Sequence, residues 1–497
     1  MNVGELIRSS AALYGDRPII HFDGQALSYP DFADLIERLA GAFVERGLKP
    51  GDRVMILAKN CPEWIASYFA ALCCGAIAVP VNPALTASEV SYIAGHAAPT
   101  IAMVDPETAS TLAHDIPHVI TLGPQGSWKD VAANQSPLKT IVPRDALDAA
   151  VIFYTSGTTG RPKGVMLSHA AVRANADIVR TLYGLSASDR TLVTGSLSFI
   201  YSIMTNCTSA ISSGVTIHLL ERFHPEHVLR AMEREQITLF LGVPTMYVMM
   251  LGWAKDQSVD TSSVRLTVCS GASLPWNLFL SVRERFGWTL LDLWGMTEGT
   301  PITSYAPDEK PRQDSCGHAL KGCGVRVIDA EGRDVATGEV GEVLLSGPPV
   351  MLGYYNNPQA TDETLQDGWV RTGDLGKLDA DGFLSIVGRQ KDLIIRGGAN
   401  IYPTEVEDAL YGHPAVAECA VIGRPHEVYG EIVEAVLVLK EGQQASAADL
   451  ATHCKKRLAD YKIPSIFDVV DALPKGPTGK ILKRTLRDRP RTPQSAG

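Results

Sequence analysis

Residues 154–169 read Y-T-S-G-T-T-G-R-P-K-G-V-M-L-S-H and concentrate hydroxyls, glycines and cations more densely than any other stretch of the chain. Thr155, Ser156, Thr158 and Thr159 supply hydroxyls, and Arg161 and Lys163 supply positive charge. Gly157, Gly160 and Gly164 let backbone N–H groups turn toward one point. A concavity of that composition suits a polyphosphate. Apolar runs at 149–154 and 164–167 flank it, so the spacing predicts a strand, a tight loop and a second strand. The P-loop pattern G-x-x-x-x-G-K-[ST] does not fit, because Gly164 follows Lys163 and a strand follows rather than a helix. The plain alternative is a ligand-free Gly/Thr turn, which is common loop chemistry.

Four later strings add candidate groups. W-G-M-T-E at 294–298 follows a strand-like run at 289–293, and ligands collect at strand ends in α/β sheets. Trp294 offers a flat face to a base, Thr297 a hydroxyl to phosphate, and Glu298 an oxygen to a magnesium ion. T-G-D-L-G at 372–376 carries Asp374, whose carboxylate can accept from the two vicinal hydroxyls of a ribose; in isolation an aspartate capping a β-turn is the better reading. G-R-Q-K-D at 388–392 is followed by the bare backbone of G-G-A-N at 397–400. P-K-G-P-T-G-K-I at 474–481 ends in a Gly/Pro-rich loop where Lys480 would by default be solvated.

The elements that must position these groups follow from periodicity. Phe32, Leu35, Ile36, Leu39, Phe43 and Val44 recur at helical spacing, with Gly47 as the stop. A strand at 53–58, an apolar helix through Tyr68 and Leu72, and a strand at 76–81 give βαβ grammar and hence a parallel sheet covered by helices. A helix is expected at 170–183, a strand at 264–270 and turn-punctuated β structure at 338–353. Beyond residue 400 the pattern predicts a compact α+β unit: helices at 403–411 and 447–460, strands at 416–422, 432–439 and 466–470. Residues 191–220 contain no Asp, Glu, Lys or Arg, and on periodicity alone they read as buried core.

At 497 residues the chain exceeds a single hydrophobic core. Its 45% hydrophobic and 20% charged residues are those of a soluble globular protein. A net charge of −10 argues against general nucleic-acid affinity. The nine cysteines form no C-x-x-C pair, so neither a zinc site nor a disulfide framework is expected, and reduced thiols in a cytoplasm fit best. The first residues lack the pattern of a signal peptide, and no run is long enough to span a membrane.

Taken together, from about residue 10 to about residue 487, these strings resemble the adenylate-forming (AMP-binding) superfamily in its acyl-CoA synthetase and aryl-CoA ligase branch. S-G-T-T-G-R-P-K-G-V is similar to that family's phosphate loop, and W-G-M-T-E to its Y-G-x-T-E with Trp294 for Tyr. The resemblance implies a large α/β N-terminal domain with mostly parallel sheets, flanking helices and added β structure at 1–390. A small mobile α+β domain would follow at 391–497, turning about a hinge at Lys391. ATP, Mg2+ and coenzyme A are the implied cofactors. Gly271, Ala272, Trp294, Gly295, Met296 and Thr297 would meet the nucleotide, Glu298 the metal, and Asp374 and Arg389 the ribose or phosphate. Gly398 would flank the pantetheine channel, and Lys480 would reach the reacting phosphate beside Lys163, Thr297 and Glu298. The acyl pocket would include Phe199, Tyr201, Met204, Gly271 and Gly295. Here the chain departs from its relatives: 196–202 read S-L-S-F-I-Y-S instead of P-L-F-H-x-x-G, with Phe199 at the usual His and Ser202 at the usual Gly.

The implied reaction has two halves. A carboxylate attacks the α-phosphate of ATP to give acyl-AMP and pyrophosphate, and a thiol then displaces AMP. A carboxylic acid of pKa ~4–5 needs no general base at neutral pH, only alignment and neutralisation of phosphoryl charge. The expected substrate is an aromatic or medium-chain acid with an uncharged tail, since 191–220 hold no residue to pair a buried charge. The expected partners are that acid and CoA, with no nucleic acid, no membrane insertion and room for a homodimer. The main alternative is a free-standing adenylation enzyme that loads a carrier protein, although no carrier domain follows Lys480. A non-catalytic nucleotide-binding protein and a luciferase-type oxygenase are the remaining readings.

Overall fold

The computed structural model describes residues 1–109, 112, 116–155, 161–476 and 481–489. Two large sheets form its centre. A nine-stranded sheet has six parallel members, running in spatial order Leu290–Met296, Leu266–Ser270, Leu239–Gly242, Arg190–Val193, Thr216–Leu219 and Pro18–Phe22. Antiparallel strands close both of its edges. A seven-stranded sheet runs Gly353–Tyr354, Lys163–Ser168, Ala149–Thr155, Ile77–Val81, Arg53–Leu57, Ile101–Val104, His118–Thr121. Its last five strands are parallel.

Helices seal these sheets by burying one face or the whole surface. Tyr29–Glu45 starts at Ser28, whose hydroxyl accepts from the Asp31 N–H, and turns Phe32, Ile36, Leu39 and Phe43 inward. Pro62–Cys73 is apolar all round and accordingly buried along its length. The main core joins Trp64, Tyr68 and Phe69 of that helix to Val151, Phe153, Ile203, Met204 and Leu293.

A five-stranded antiparallel sheet follows, built on Gly324–Ile328, Gly341–Ser346, Trp369–Leu378 and Leu384–Arg389 with Leu365–Gln366 at its edge. Beyond the short 3-10 turn Gln390–Asp392 lies a second five-stranded sheet, in which Val416–His426 and Gly430–Leu439 form the long central pair. Helices Pro403–Tyr411 and Ala447–Lys455 cover it around Val406, Leu410, Leu450 and Cys454.

Three expectations shift in detail. The helix expected at 447–460 stops at Lys455, with a 3-10 turn at Asp460–Lys462. W-G-M-T-E lies in a β-hairpin and not at a free strand end: Leu290–Met296 pairs with Gly299–Ser304, leaving Thr297 and Glu298 as the turn. T-G-D-L-G sits inside the strand Trp369–Leu378, where Asp374 faces Arg389 in register, so Asp374 caps no turn. The charge-free stretch 191–220 ends two parallel strands and encloses a π-helix, Tyr201–Thr208, a rare element found mostly at functional sites.

Candidate active site

The phosphate-loop residues Ser156, Gly157, Thr158, Thr159 and Gly160, and Lys480 near the C-terminus, lie outside the described residues. The strands on either side of the loop are described. Ala149–Thr155 pairs antiparallel with Lys163–Ser168, and Thr155 stands opposite Lys163. Gly164 is required there by space: a Cβ would fall 2.8 Å from Ile152 Cγ2 and 3.2 Å from Tyr154 Cζ. The exit strand runs into helix His169–Leu182, capped by the Ser168 hydroxyl. Asn175 of that helix donates to the Thr300 carbonyl at 2.7 Å, bracing the helix against the hairpin that carries Glu298.

Glu298 is 7% exposed. Its Oε1 accepts from the Tyr354 hydroxyl at 2.8 Å, and its carbonyl accepts from the Met351 N–H at 2.8 Å. Burial raises its pKa, against the hydrogen bond from Tyr354 and the positive charges of Arg389 and Lys163. Lys163 Nζ lies 4.8 Å from the centre of the Tyr354 ring. No described residue forms an ion pair with Glu298. A buried carboxylate whose positive neighbours stand beyond ion-pair distance fits a cation that arrives with a ligand. Among the described residues no group of three or more His, Cys, Asp or Glu could hold a metal ion by itself; Glu298 is the carboxylate that would hold Mg2+ together with substrate phosphates.

Trp294, Asp374 and Arg389 meet beside this carboxylate. Arg389 Nε is 2.8 Å from Asp374 Oδ1, and Trp294 Nε1 donates to Asp374 Oδ2 at 3.3 Å. Asp374 is itself held by its own N–H donating to the Thr372 hydroxyl at 3.0 Å, and that hydroxyl donates to the Val343 carbonyl at 2.7 Å. The central antiparallel sheet thus delivers Asp374 and Arg389 to the same place as the hairpin of Trp294, Gly295, Met296, Thr297 and Glu298. Gly295 admits no side chain, since a Cβ would sit 2.7 Å from Thr300 Oγ1. Gly271 (φ +83°) and Ala272 form the exposed turn at the end of Leu266–Ser270, the strand adjacent to Leu290–Met296.

The residues named for the acyl pocket divide. Tyr201 is half-buried, and its hydroxyl donates to the Val268 carbonyl at 3.3 Å, leaving the ring rather than a free polar group to face a ligand. Phe199 is half-buried just before the π-helix. Met204 is fully buried in the main core, because the π-helix turns it inward. Gly397 and Gly398 (φ +57° and +84°) form the two-residue turn between Ile394–Arg396 and Ala399–Ile401. That turn demands two left-handed residues, which accounts for both glycines without a ligand. Lys391 is exposed in the 3-10 turn between the central sheet and the C-terminal sheet.

Two residues escape a reading by motif. Tyr354 stands in a turn-rich stretch with no chemical string around it. Asp292, on the strand of Trp294, does carry a sequence signal: an acid inside the apolar run L-L-D-L-W. Burial raises its carboxyl pKa to about 7, and its hydrogen bond comes from the Leu293 N–H. Two residues apart on one strand, Asp292 and Trp294 share a face. A second cluster flanks the phosphate loop: His96 Nδ1 lies 2.8 Å from the Tyr154 hydroxyl, its ring stacks on Tyr92, and Arg161 covers Tyr92 at 5.9 Å.

This fold and this meeting of an aromatic face, a buried carboxylate, a lysine and an Asp–Arg pair define an enzyme that adenylates carboxylic acids. The chain belongs to the AMP-binding enzyme family: that family's model matches residues 7–355, and the AMP-binding enzyme C-terminal domain matches 405–480. It is 37% identical over 95% of both chains to a feruloyl-CoA synthase of Amycolatopsis sp. It is 36% identical over 98% of both chains to an indoleacetate–CoA ligase of Aromatoleum aromaticum. Among solved structures it superposes on ATP-bound MatB from Rhodopseudomonas palustris with a TM-score of 0.93, at 32% identity, covering 98% of this chain and 99% of that one. The protein is an AMP-forming acid–thiol ligase: ATP and CoA are its substrates, Mg2+ is the family's usual ion, and the acid is activated as an acyl-adenylate. Among the described residues no helix is long and apolar enough to cross a membrane.

Proposed function

We propose that this ligase activates an aromatic or medium-chain acid with an uncharged tail and delivers it to CoA itself, in the cytoplasm. The observation that carries this reading is the segment 191–220, which presents Phe199 and the ring of Tyr201 without one charged side chain. An ammonium or second carboxylate in such a place would cost several kcal/mol unpaired. Two relatives of more than one-third identity are named for acids with aromatic rings, ferulate and indoleacetate, which supports the same class.

In this reading residues 1–390 bind ATP and acid, and residues 391–497 turn about Lys391 between the half-reactions. Lys163, Thr297, Glu298 with Mg2+, and Lys480 neutralise phosphoryl charge, while Trp294 packs on adenine and Asp374 with Arg389 holds the ribose. The Asp374–Arg389 pair preorganises that contact, because the carboxylate is already oriented by two donors. Lys480 withdraws before the thiol enters.

The test is kcat/KM for acetate, hexanoate, benzoate, phenylacetate, phenylalanine and malonate with CoA. Each buried methylene contributes about 0.8 kcal/mol, so hexanoate and the ring acids should exceed acetate by at least about tenfold. Preference for phenylalanine, malonate or acetate would overturn the substrate class. Adenylation without CoA-dependent release of AMP would favour a carrier-protein thiol instead.

A further inference from the structure

We propose that Tyr354 is a positioning residue for adenylation, its hydroxyl fixing the carboxylate of Glu298 and its ring seating Lys163, so that the metal ligand and the loop lysine approach the ATP phosphates as one unit. The inference rests on Glu298 being the Mg2+ ligand. Tyr354 is 6% exposed and stands between the two groups: its hydroxyl donates to Glu298 Oε1 at 2.8 Å, and Lys163 Nζ lies 4.8 Å above its ring.

The backbone around Tyr354 is tied to both sides of the site. Met351 N–H donates to the Glu298 carbonyl at 2.8 Å, in the turn that carries the carboxylate. Leu352 and Tyr355 N–H groups donate to the Met166 and Gly164 carbonyls at 2.8 and 2.7 Å, on the strand that leaves the phosphate loop. Gly353 and Tyr354 pair with Met166 and Val165. Tyr354 N–H donates to the Thr361 hydroxyl at 2.8 Å, and Gly353 packs so closely on Thr361 that a Cβ would fall 2.7 Å from its Cγ2. Residues 351–355 are therefore a strap from the lysine strand to the carboxylate turn, and Tyr354 is its side-chain contact with both. A tyrosine that only filled space would need neither the bond to a buried carboxylate nor a cation on its ring.

The experiment uses the full chain, with Mn2+ as the probe and α,β-methylene-ATP as the unreactive nucleotide, free Mn2+ being read by electron paramagnetic resonance. Tyr354→Phe keeps the ring and removes the hydroxyl; groups that orient a metal ligand are worth about 10–100-fold in metal affinity, so Mn2+ binding should weaken by about tenfold or more. Glu298→Gln should weaken it as well, and the double variant should be no worse than Glu298→Gln alone. Thermal unfolding is followed in each case. Should Tyr354→Phe fail to fold, Thr361→Val loosens the strap without touching ring or carboxylate, and should weaken Mn2+ binding in the same direction. Wild-type Mn2+ affinity in Tyr354→Phe alongside a weakened Glu298→Gln overturns the inference alone. Additive losses, or wild-type affinity in a folded Thr361→Val, overturn it equally. Unchanged Mn2+ affinity in Glu298→Gln overturns the metal reading and the inference together.

Discussion

Asp292 shows how far a single side chain can be pushed by its surroundings. Its carboxyl sits in the nine-stranded sheet beside Cys269, and burial raises its pKa to about 7. An acid whose folded pKa lies above its unfolded value binds protons more tightly when folded. Its contribution to stability is therefore present in full below about pH 4 and is lost as the pH rises through about 7. Asp292→Asn keeps the shape and abolishes the charge, so it should match the wild type near pH 4 and become progressively more stable relative to it by pH 8. The difference is on the order of 4 kcal/mol at most, and partial exposure reduces it. Urea unfolding of both proteins at pH 4.5, 6 and 8 measures it; parallel curves would show that Asp292 does not titrate in this range. Glu298, Trp294, Asp374 and Arg389 were all legible in the sequence because each lies in a dense string of chemical residues. Their mutual bonds were not, since Asp374 and Trp294 meet only through register between sheets. Tyr354 was illegible for a simpler reason: its role depends on two partners far from it in sequence.

The hairpin that brackets the phosphate loop shows what elements add. Its two strands were expected from apolar runs alone, and they form where expected. Sequence did not reveal that their pairing leaves no room at Gly164, whose missing Cβ would meet Ile152 and Tyr154. Gly164→Val should pry the exit strand away from its partner and shift Lys163, the neighbour of Gly164 opposite Thr155. Overpacking of this kind costs about 1–3 kcal/mol in stability. Misplacement of a phosphate-binding group should raise the KM for ATP by on the order of tenfold while the KM for the acid changes little. Loss of stability with an unchanged KM for ATP would mean that the loop is positioned independently of this strand pair. Elsewhere the glycines carry a different lesson. Gly397 and Gly398 look like a passage for a thin ligand, yet the turn they form requires both left-handed conformations by itself. The π-helix Tyr201–Thr208 had no sequence signature beyond the absence of charge, because hydrogen-bond register within a buried segment is set by its packing.

At the scale of the whole molecule, the proposed division of work falls at Lys391. The alternation of helix and strand predicted a parallel core, and the chain builds two such sheets before the antiparallel sheet that delivers Asp374 and Arg389. The last α+β unit follows a single 3-10 turn, Gln390–Asp392. Among the described residues, few side-chain hydrogen bonds cross that turn: Thr404 donates to the Val387 carbonyl, and Asn277 donates to the Tyr411 carbonyl at 3.1 Å. A joint so lightly bonded can rotate at modest cost, which the two half-reactions demand if one lysine must leave before a thiol enters. Proline at residue 391 accepts the φ of a 3-10 turn but restricts the alternatives that a rotation must visit. Lys391→Pro should therefore retain acid-dependent pyrophosphate release while conversion of supplied acyl-AMP to the CoA thioester falls by on the order of a hundredfold. The two steps are measured separately, by pyrophosphate release without CoA and by thioester formation from synthetic acyl-AMP. Loss of both in proportion would show that the substitution damages the fold; retention of both would move the pivot away from Lys391.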